Sequence, residues 1–172
     1  MNKWLNVSYD NGIVFCRHAE AIRSAMTVQA PYLVMGDTRE PSHYTPELSR
    51  RARGIEIWAA LKSLGREGLS EMITRDCQLA SYFADGLRQS GFEVLNDVVI
   101  NQVLVSFGDK NLTRMTIDAI QRDGTLWAGP SIWQGQVGMR ISVSSWKTTQ
   151  ADIDRCLIAI EEIARTVRES ML

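Results

Sequence analysis

The sequence predicts an α+β fold in which a small, mostly antiparallel sheet carries helices on one face. In residues 137–143, apolar side chains alternate strictly with other residues, which is the period-two pattern of a sheet with one covered face. Residues 92–172 then divide by pattern into strand, strand, helix, strand, strand and helix, and two apolar-striped helices precede them. This order of elements is typical of a two-layer α+β domain.

The first third of the chain has weaker patterns. We predict an extended segment at residues 3–6, a turn at 9–12 and a buried strand at 12–17, because residues 13–16 form a continuous apolar run. Helix-forming residues predict a short helix over 19–26. Residues 27–46 have no periodicity and contain three prolines, which predicts a long loop that is either a mobile surface segment or functional.

Two helices are predicted next. Pro46 and Glu47 suit the first turn of a helix, and apolar residues at helical spacing follow them. Gly65 and Gly68 interrupt the pattern, and a second helix is expected over 69–89, before the terminating Gly91.

The remaining elements follow from β-branched runs, glycine breaks and capping residues. Thr149 and Asp152 form a capping pair that starts the last helix. The strands are predicted at 92–96, 98–107, 125–133 and 137–143, and the intervening helix at 112–122.

Composition excludes several functional classes. The 172-residue chain has 45% hydrophobic residues, 19 basic and 20 acidic residues and a net charge of -1, which argues against nucleic-acid binding. No apolar run is long enough for a membrane span, so we expect a soluble, cytoplasmic protein. Three separated cysteines and two histidines show no metal-ligand spacing, so no metal is assigned.

Several motifs, in this order, resemble the group II pyridoxal-phosphate-dependent decarboxylases, the family of aromatic L-amino acid and glutamate decarboxylases. The first is Lys-Trp-Leu-Asn at 3–6, followed by a Tyr-Asp-X-Gly turn and an apolar segment. The family usually has histidine before the lysine, whereas Asn2 precedes Lys3 here. The resemblance continues over nearly the whole chain, through Ser-Arg-Arg at 49–51, residues 58–68, Asn-Gln-Val at 101–103, Arg-Ile-Ser at 140–142, Trp146 and Thr-Thr at 148–149.

The resemblance implies a domain organisation and a reaction. Residues 1–46 would be a remnant of the large cofactor domain, and 47–172 a linker helix and the small C-terminal domain of a fold-type I enzyme. The chain would then be the C-terminal portion of an amino-acid decarboxylase, a carboxy-lyase, with pyridoxal phosphate as cofactor. Without analogy, Lys3 would be a solvated lysine near the terminus; by resemblance it is the lysine that binds the cofactor covalently.

The resemblance also suggests three further site residues. Tyr32 lies 29 positions after Lys3 (32 − 3), where the family carries a loop tyrosine that donates a proton after carbon dioxide leaves. Arg51, expected at a helix start, would support the site or be solvated or ion-paired. Arg140 would receive the substrate carboxylate, as an arginine at a similar strand position does in the wider superfamily, or pair within the domain.

Activity and partners are expectations of the same resemblance. The family is homodimeric with an amino-acid substrate, and we expect self-association here. The segment upstream of the family's lysine supplies the acid, aromatic and phosphate contacts of the cofactor, so we expect the isolated chain to bind the cofactor weakly and to lack decarboxylase activity. The alternatives are a non-catalytic, self-associating α+β domain and one half of a split enzyme that a separate upstream chain completes.

Overall fold

The computed structural model describes residues 2–33, 36 and 38–171. Of the predicted loop 27–46, residues 34, 35 and 37 lie outside this description. The elements in chain order are α1 (Asn2–Leu5), α2 (Ala19–Met26), a 3-10 turn (Pro41–Tyr44), α3 (Gly54–Gln89), β1 (Glu93–Val94), β2 (Gln102–Ser106), α4 (Lys110–Asp123), β3 (Gly129–Trp133), β4 (Gln136–Ser142) and α5 (Gln150–Glu169).

The described strands form a four-stranded sheet in the order β1-β2-β4-β3, and every neighbouring pair is antiparallel. Val103 of β2 lies opposite Ile141 of β4. Gln134 and Gly135 connect β3 to β4 with positive φ angles of 48° and 83°, the conformation that matches the twist of a hairpin. The predicted fold class, with its small antiparallel sheet, is confirmed.

The main core lies between the sheet and helices α3, α4 and α5. Side chains from β2 and β4 meet those of the three helices in one apolar cluster, which includes Phe83, Leu87, Val103, Val105, Ile117, Ile120, Met139, Ile141, Ile153 and Ile160. These residues are the apolar positions of the predicted stripes, so the periodic segments pack as their patterns indicate.

Local signals place several element ends correctly. At the end of α3, Gly91 has a φ of 80°, and the Phe92 N–H donates to the Leu87 carbonyl, as in a Schellman motif. Thr149 and Asp152 form the predicted reciprocal capping box at the start of α5.

The predicted start of α3 at Glu47 is wrong, because the helix begins at Gly54. The guanidinium of Arg50 donates to the carbonyls of Glu47 and Leu48, at 3.0 and 3.3 Å, which occupies acceptors that a helix would use for its own amides. Arg50 and Arg51 therefore precede the helix. Gly65 breaks α3 as predicted, with φ 64° and ψ -171°, whereas the chain remains helical at Gly68.

The predicted strand at 12–17 is also wrong, because this segment is irregular. Val14 and Phe15 are 81% and 94% exposed, so the apolar run is neither buried nor part of the described sheet. A strand needs hydrogen-bonding neighbours, and an apolar run alone does not supply them.

The segment predicted as extended at 3–6 contains most of the helical turn α1. Its Leu5 packs with Ile57 and Met72 of α3 in a second, smaller apolar cluster. Burial of Leu5 against a helix therefore decides the local conformation.

No helix in the described part of the chain is both long and apolar enough to cross a membrane. Among the same residues, no group of three or more His, Cys, Asp or Glu side chains is placed to hold a metal ion.

Candidate functional site

Lys3 and Arg140 line one cleft of about 570 Å³. Lys3 lies on α1 and is exposed, while Arg140 lies on the exposed face of β4 between buried Met139 and Ile141. Strand alternation therefore directs Arg140 away from the core. The other lining residues are Asn6, Val7, Tyr9, Trp127, Ala128, Gly129, Ser142 and Ser144.

Trp127 also lines this cleft, although tryptophan side chains are more commonly part of a core or an interface. It is 80% exposed, while its neighbour Ala128 is buried and Leu126 packs against the main core. The Gln121 side-chain amide also donates to the Ala128 carbonyl at 2.6 Å. The sequence signal for an outward-facing indole is the position of Trp127 between two apolar residues, Leu126 and Ala128. Because both neighbours pack inward, the Trp127 side chain faces outward.

The chemistry of this cleft suits an anion. It contains the amine of Lys3, the guanidinium of Arg140 and the hydroxyls of Ser142 and Ser144, and such donors bind carboxylate or phosphate oxygens. None of the described lining residues is Asp or Glu. The cleft can therefore offer a nucleophilic amine beside an anion-binding group, but no carboxylate for a pyridine nitrogen.

Arg51 lies outside the Lys3 cleft. Its guanidinium donates to the Ser8 hydroxyl at 3.2 Å, forms an ion pair with Glu56 and lies 3.9 Å from Asp10. These contacts give Arg51 internal partners and connect the N-terminal segment to the first turn of α3.

Arg53 makes a related set of contacts that sequence reasoning did not identify. Its Nε donates to Asp10 at 3.1 Å and its Nη1 donates to Glu47 at 3.0 Å. Hydrogen bonds to Glu47 and then Asp10 raise the pKa of Arg53 above its ordinary value. The three arginines Arg50, Arg51 and Arg53 line a second, open cleft of about 920 Å³ at the start of α3.

Tyr32 takes part in neither set of contacts. It is 76% exposed in a turn closed by the Leu33 N–H and the Ala30 carbonyl, at 3.0 Å, and it lines neither of the two clefts described above. Of the four predicted site residues, the structure thus brings Lys3 and Arg140 together and places Tyr32 and Arg51 elsewhere.

A comparison against protein-family models identifies the family of the chain. Residues 1–110 match the "Pyridoxal-dependent decarboxylase conserved domain", which covers more than half of the chain. The chain belongs to the pyridoxal-dependent decarboxylase family, as its motifs predicted.

Curated relatives agree with this assignment. The chain is 30% identical over 175 residues to histidine decarboxylase of Drosophila melanogaster, covering 99% of this chain and 21% of that protein. It is 28% identical over 163 residues to 3,4-dihydroxyphenylacetaldehyde synthase of Aedes aegypti, covering 90% of this chain and 31% of that protein. The chain thus spans between about a fifth and a third of the length of these two relatives.

Solved structures share the fold. Oryza sativa TDC, crystallised with PLP and tryptamine, superposes with a TM-score of 0.76 at 17% identity, over 84% of this chain and 33% of that one. Mouse CSAD gives a TM-score of 0.72 at 18% identity, over 83% of this chain and 34% of that one. These neighbours confirm the fold class. The structure of this chain corresponds to part of the fold of these longer proteins.

Proposed function

We propose that this chain is the C-terminal portion of a pyridoxal-phosphate-dependent amino-acid decarboxylase, a carboxy-lyase. In this proposal residues 1–46 belong to the large cofactor domain, and 47–172 form the linker helix and the small domain. The observation that carries the proposal is the shared cleft of Lys3 and Arg140, in a chain of the decarboxylase family.

Each residue has a distinct role in this proposal. The amine of Lys3 binds the cofactor aldehyde. Arg140 holds the substrate carboxylate, and it takes part in no ion pair among the described residues, which supports this role over a pair within the domain. Tyr32, exposed on its loop, donates a proton to the substrate carbon that has lost its carboxylate, and Arg51 supports the site through its contacts to Ser8 and Glu56.

The described residues supply some of the groups that would hold pyridoxal phosphate. Pyridoxal phosphate, when bound, supplies the sink for the electron pair left behind as the carboxylate leaves. The Lys3 cleft offers the amine, an anion-binding arginine and the Trp127 indole, but its described lining has no carboxylate to face a pyridine nitrogen. We therefore propose that these 172 residues alone bind the cofactor weakly and do not decarboxylate amino acids.

Additional protein would complete the site in this proposal. It could be a further part of the same polypeptide or a separate chain that acts in trans. We also propose a homodimer, because the apolar side chains of Val14 and Phe15 are almost fully exposed and such surfaces commonly become interfaces.

A non-catalytic, self-associating α+β domain is the second candidate. The main core and the capped helices of residues 79–169 support it, since this part has its own apolar cluster. In that case Lys3 would react no differently from other exposed lysines.

The two candidates are distinguished by labelling with pyridoxal phosphate, followed by borohydride reduction and peptide mapping. We expect Lys3 to be labelled in preference to exposed Lys62, Lys110 and Lys147, because the neighbouring Arg140 attracts the phosphate. Half-saturation should need cofactor well above about 1 μM, the concentration that corresponds to roughly 8 kcal/mol of binding free energy.

An Arg140→Gln variant should lose the preference for Lys3, and Arg114→Gln, which changes an exposed arginine of α4, should retain it. Equal labelling of all four lysines would contradict the role of Lys3. Saturation below about 1 μM, or release of carbon dioxide from amino acids, would contradict the proposal of weak binding and inactivity.

A further inference from the structure

Five charged residues form an ion-pair network at the start of α3. Asp10 lies at its centre, 3.1 Å from Arg53 and 3.9 Å from Arg51. Arg53 also pairs with Glu47 at 3.0 Å, and Arg51 pairs with Glu56. The Asp10 network therefore joins the N-terminal segment to residues 47–56, although these parts are about 40 positions apart in sequence.

The same N-terminal segment contacts α3 at a second point. Leu5 is buried against Ile57 and Met72, with Trp4 and Val7 packed around them. Residues two positions apart on an α-helix are related by a rotation of about 200° around the helix axis, so their side chains lie on nearly opposite sides. Burial of Leu5 against α3 therefore turns Lys3 to the opposite side, toward the cleft that it shares with Arg140.

The short helix α1 cannot maintain this arrangement by itself. It has four residues, far fewer than the 12 to 15 or so that an isolated helix needs in water. Leu5 anchors the segment near its beginning, and the Ser8–Arg51 and Asp10–Arg53 hydrogen bonds anchor it after α1. Two separated anchor points restrict rotation of the segment, which one apolar contact would permit.

We infer that Asp10 and Arg53 are positioning residues that hold residues 2–13 against α3 and thereby set where the Lys3 amine enters the cleft that it shares with Arg140. The consequence for catalysis rests on the proposed role of Lys3. The docking of the segment is a property of the chain that can be measured without cofactor.

A lysine-specific protease measures this docking directly. Cleavage after Lys3 requires the α1 turn to open, whereas Lys147 lies in an exposed turn and provides an internal reference in the same digest. Asp10→Asn and Arg53→Gln should each raise the ratio of the two cleavage rates about threefold to fivefold, which is the upper range for losing exposed ion pairs.

The double variant tests whether the two residues act together. If they do, Asp10→Asn with Arg53→Gln should exceed either single variant by less than about twofold. The control is the exposed Asp85–Arg88 pair of the same helix, at 2.9 Å. Asp85→Asn and Arg88→Gln should leave the cleavage ratio unchanged.

An unchanged ratio in the Asp10→Asn and Arg53→Gln variants would overturn the inference, and so would an equal rise in the Asp85 and Arg88 controls. If Arg53→Gln unfolds the protein as a whole, cleavage after Lys62, within α3, should also accelerate. In that case the nearly isosteric Asp10→Asn variant decides whether the docking inference holds.

A second measurement links docking to the position of the amine. In the Asp10→Asn and Arg53→Gln variants, the preferential labelling of Lys3 by pyridoxal phosphate and borohydride should fall at least about threefold. The midpoint of thermal unfolding should change little. If labelling falls only together with thermal stability, the two residues are structural and the inference fails. If the unmodified protein shows no preference for Lys3, the proposed function fails, and the protease ratios still decide the docking.

Discussion

Asp76 of α3 is a fully buried carboxylate at 0% exposure. Its Oδ1 accepts a long hydrogen bond of 3.4 Å from Arg75, and its Oδ2 has no partner within the described part of the chain. Arg75 also donates to the Trp146 carbonyl at 3.0 Å. Burial raises the pKa of Asp76, and the positive charge of Arg75 offsets only part of that effect.

The raised pKa of Asp76 predicts how stability depends on pH. The folded state binds this proton more tightly than the unfolded state, so the free energy of unfolding falls as pH rises from about 3.8, the ordinary value, through the raised pKa. Asp76→Asn should therefore raise the free energy of unfolding at pH 7 by about 1 kcal/mol, since it removes a buried charge that lacks full hydrogen bonding. Urea unfolding at pH 7 and pH 4 measures the gain, which should shrink at the lower pH.

Asp123 provides a control of opposite sign. Hydrogen bonds from the side chain and the backbone N–H of Thr125 lower the pKa of this exposed carboxyl. Its contribution to stability is present above the ordinary pKa and is lost as pH falls, so Asp123→Asn should lower stability at pH 7. A loss of stability in Asp76→Asn at pH 7 would show that the attraction of Arg75 exceeds the cost of burial.

At the scale of the elements, α3 packs against α5 at Gly86. A methyl group added to Gly86 would overlap the δ carbons of Leu157, and the contact is flanked by the hydrogen bond from Tyr82 to Asp154, at 2.7 Å. Gly68 lies in the same helix, and a methyl group there would meet Leu64 at an ordinary 3.5 Å. Close packing against α5 therefore requires glycine at position 86, whereas position 68 has room for a larger side chain.

This difference predicts opposite effects of alanine. Gly86→Ala should lower the free energy of unfolding by about 1 to 3 kcal/mol through overpacking, whereas Gly68→Ala should raise it by up to about 1 kcal/mol through helix propensity. Chemical denaturation measures both. Leu157→Ala should recover part of the loss when it is combined with Gly86→Ala. Equal effects of the two substitutions would contradict close packing of α5 at Gly86.

At the scale of the whole molecule, the apolar surface is uneven. Residues 79–164 contribute the main core, while Val14 and Phe15 of the N-terminal segment are exposed although they were predicted to be buried. Exposed apolar side chains that adjoin each other favour association with a partner surface.

We expect the purified chain to form a concentration-dependent dimer, measured by sedimentation or by light scattering after gel filtration. Replacing Val14 and Phe15 together by serine should weaken the dimer at least about tenfold, because these side chains would lose their burial. The control replaces Val99 and Ile100, also exposed but located before β2, and should leave the dimer unchanged. A monomer at all concentrations would contradict the proposed self-association.

The observed elements agree with the sequence-based predictions more closely in the C-terminal half of the chain than in the N-terminal third. The strands of residues 93–142, the break at Gly65 and the capping box of Thr149 all depend on residues that are close in sequence. The run at 13–16 had the composition of a strand, but its conformation depends on neighbours that its own pattern does not specify.

The sequence alone determined the α+β class, the end of α3, the start of α5 and, through the order of its motifs, the decarboxylase family. Spacing and capping carry this information because helices and strands repeat over a few residues. Only the tertiary structure decided that Lys3 shares a cleft with Arg140, that Trp127 lines it and that Arg53 pairs with Asp10. These contacts arise from how α1 packs on α3 and how β4 directs its side chains, and no local pattern encodes the distance between segments so far apart in the chain.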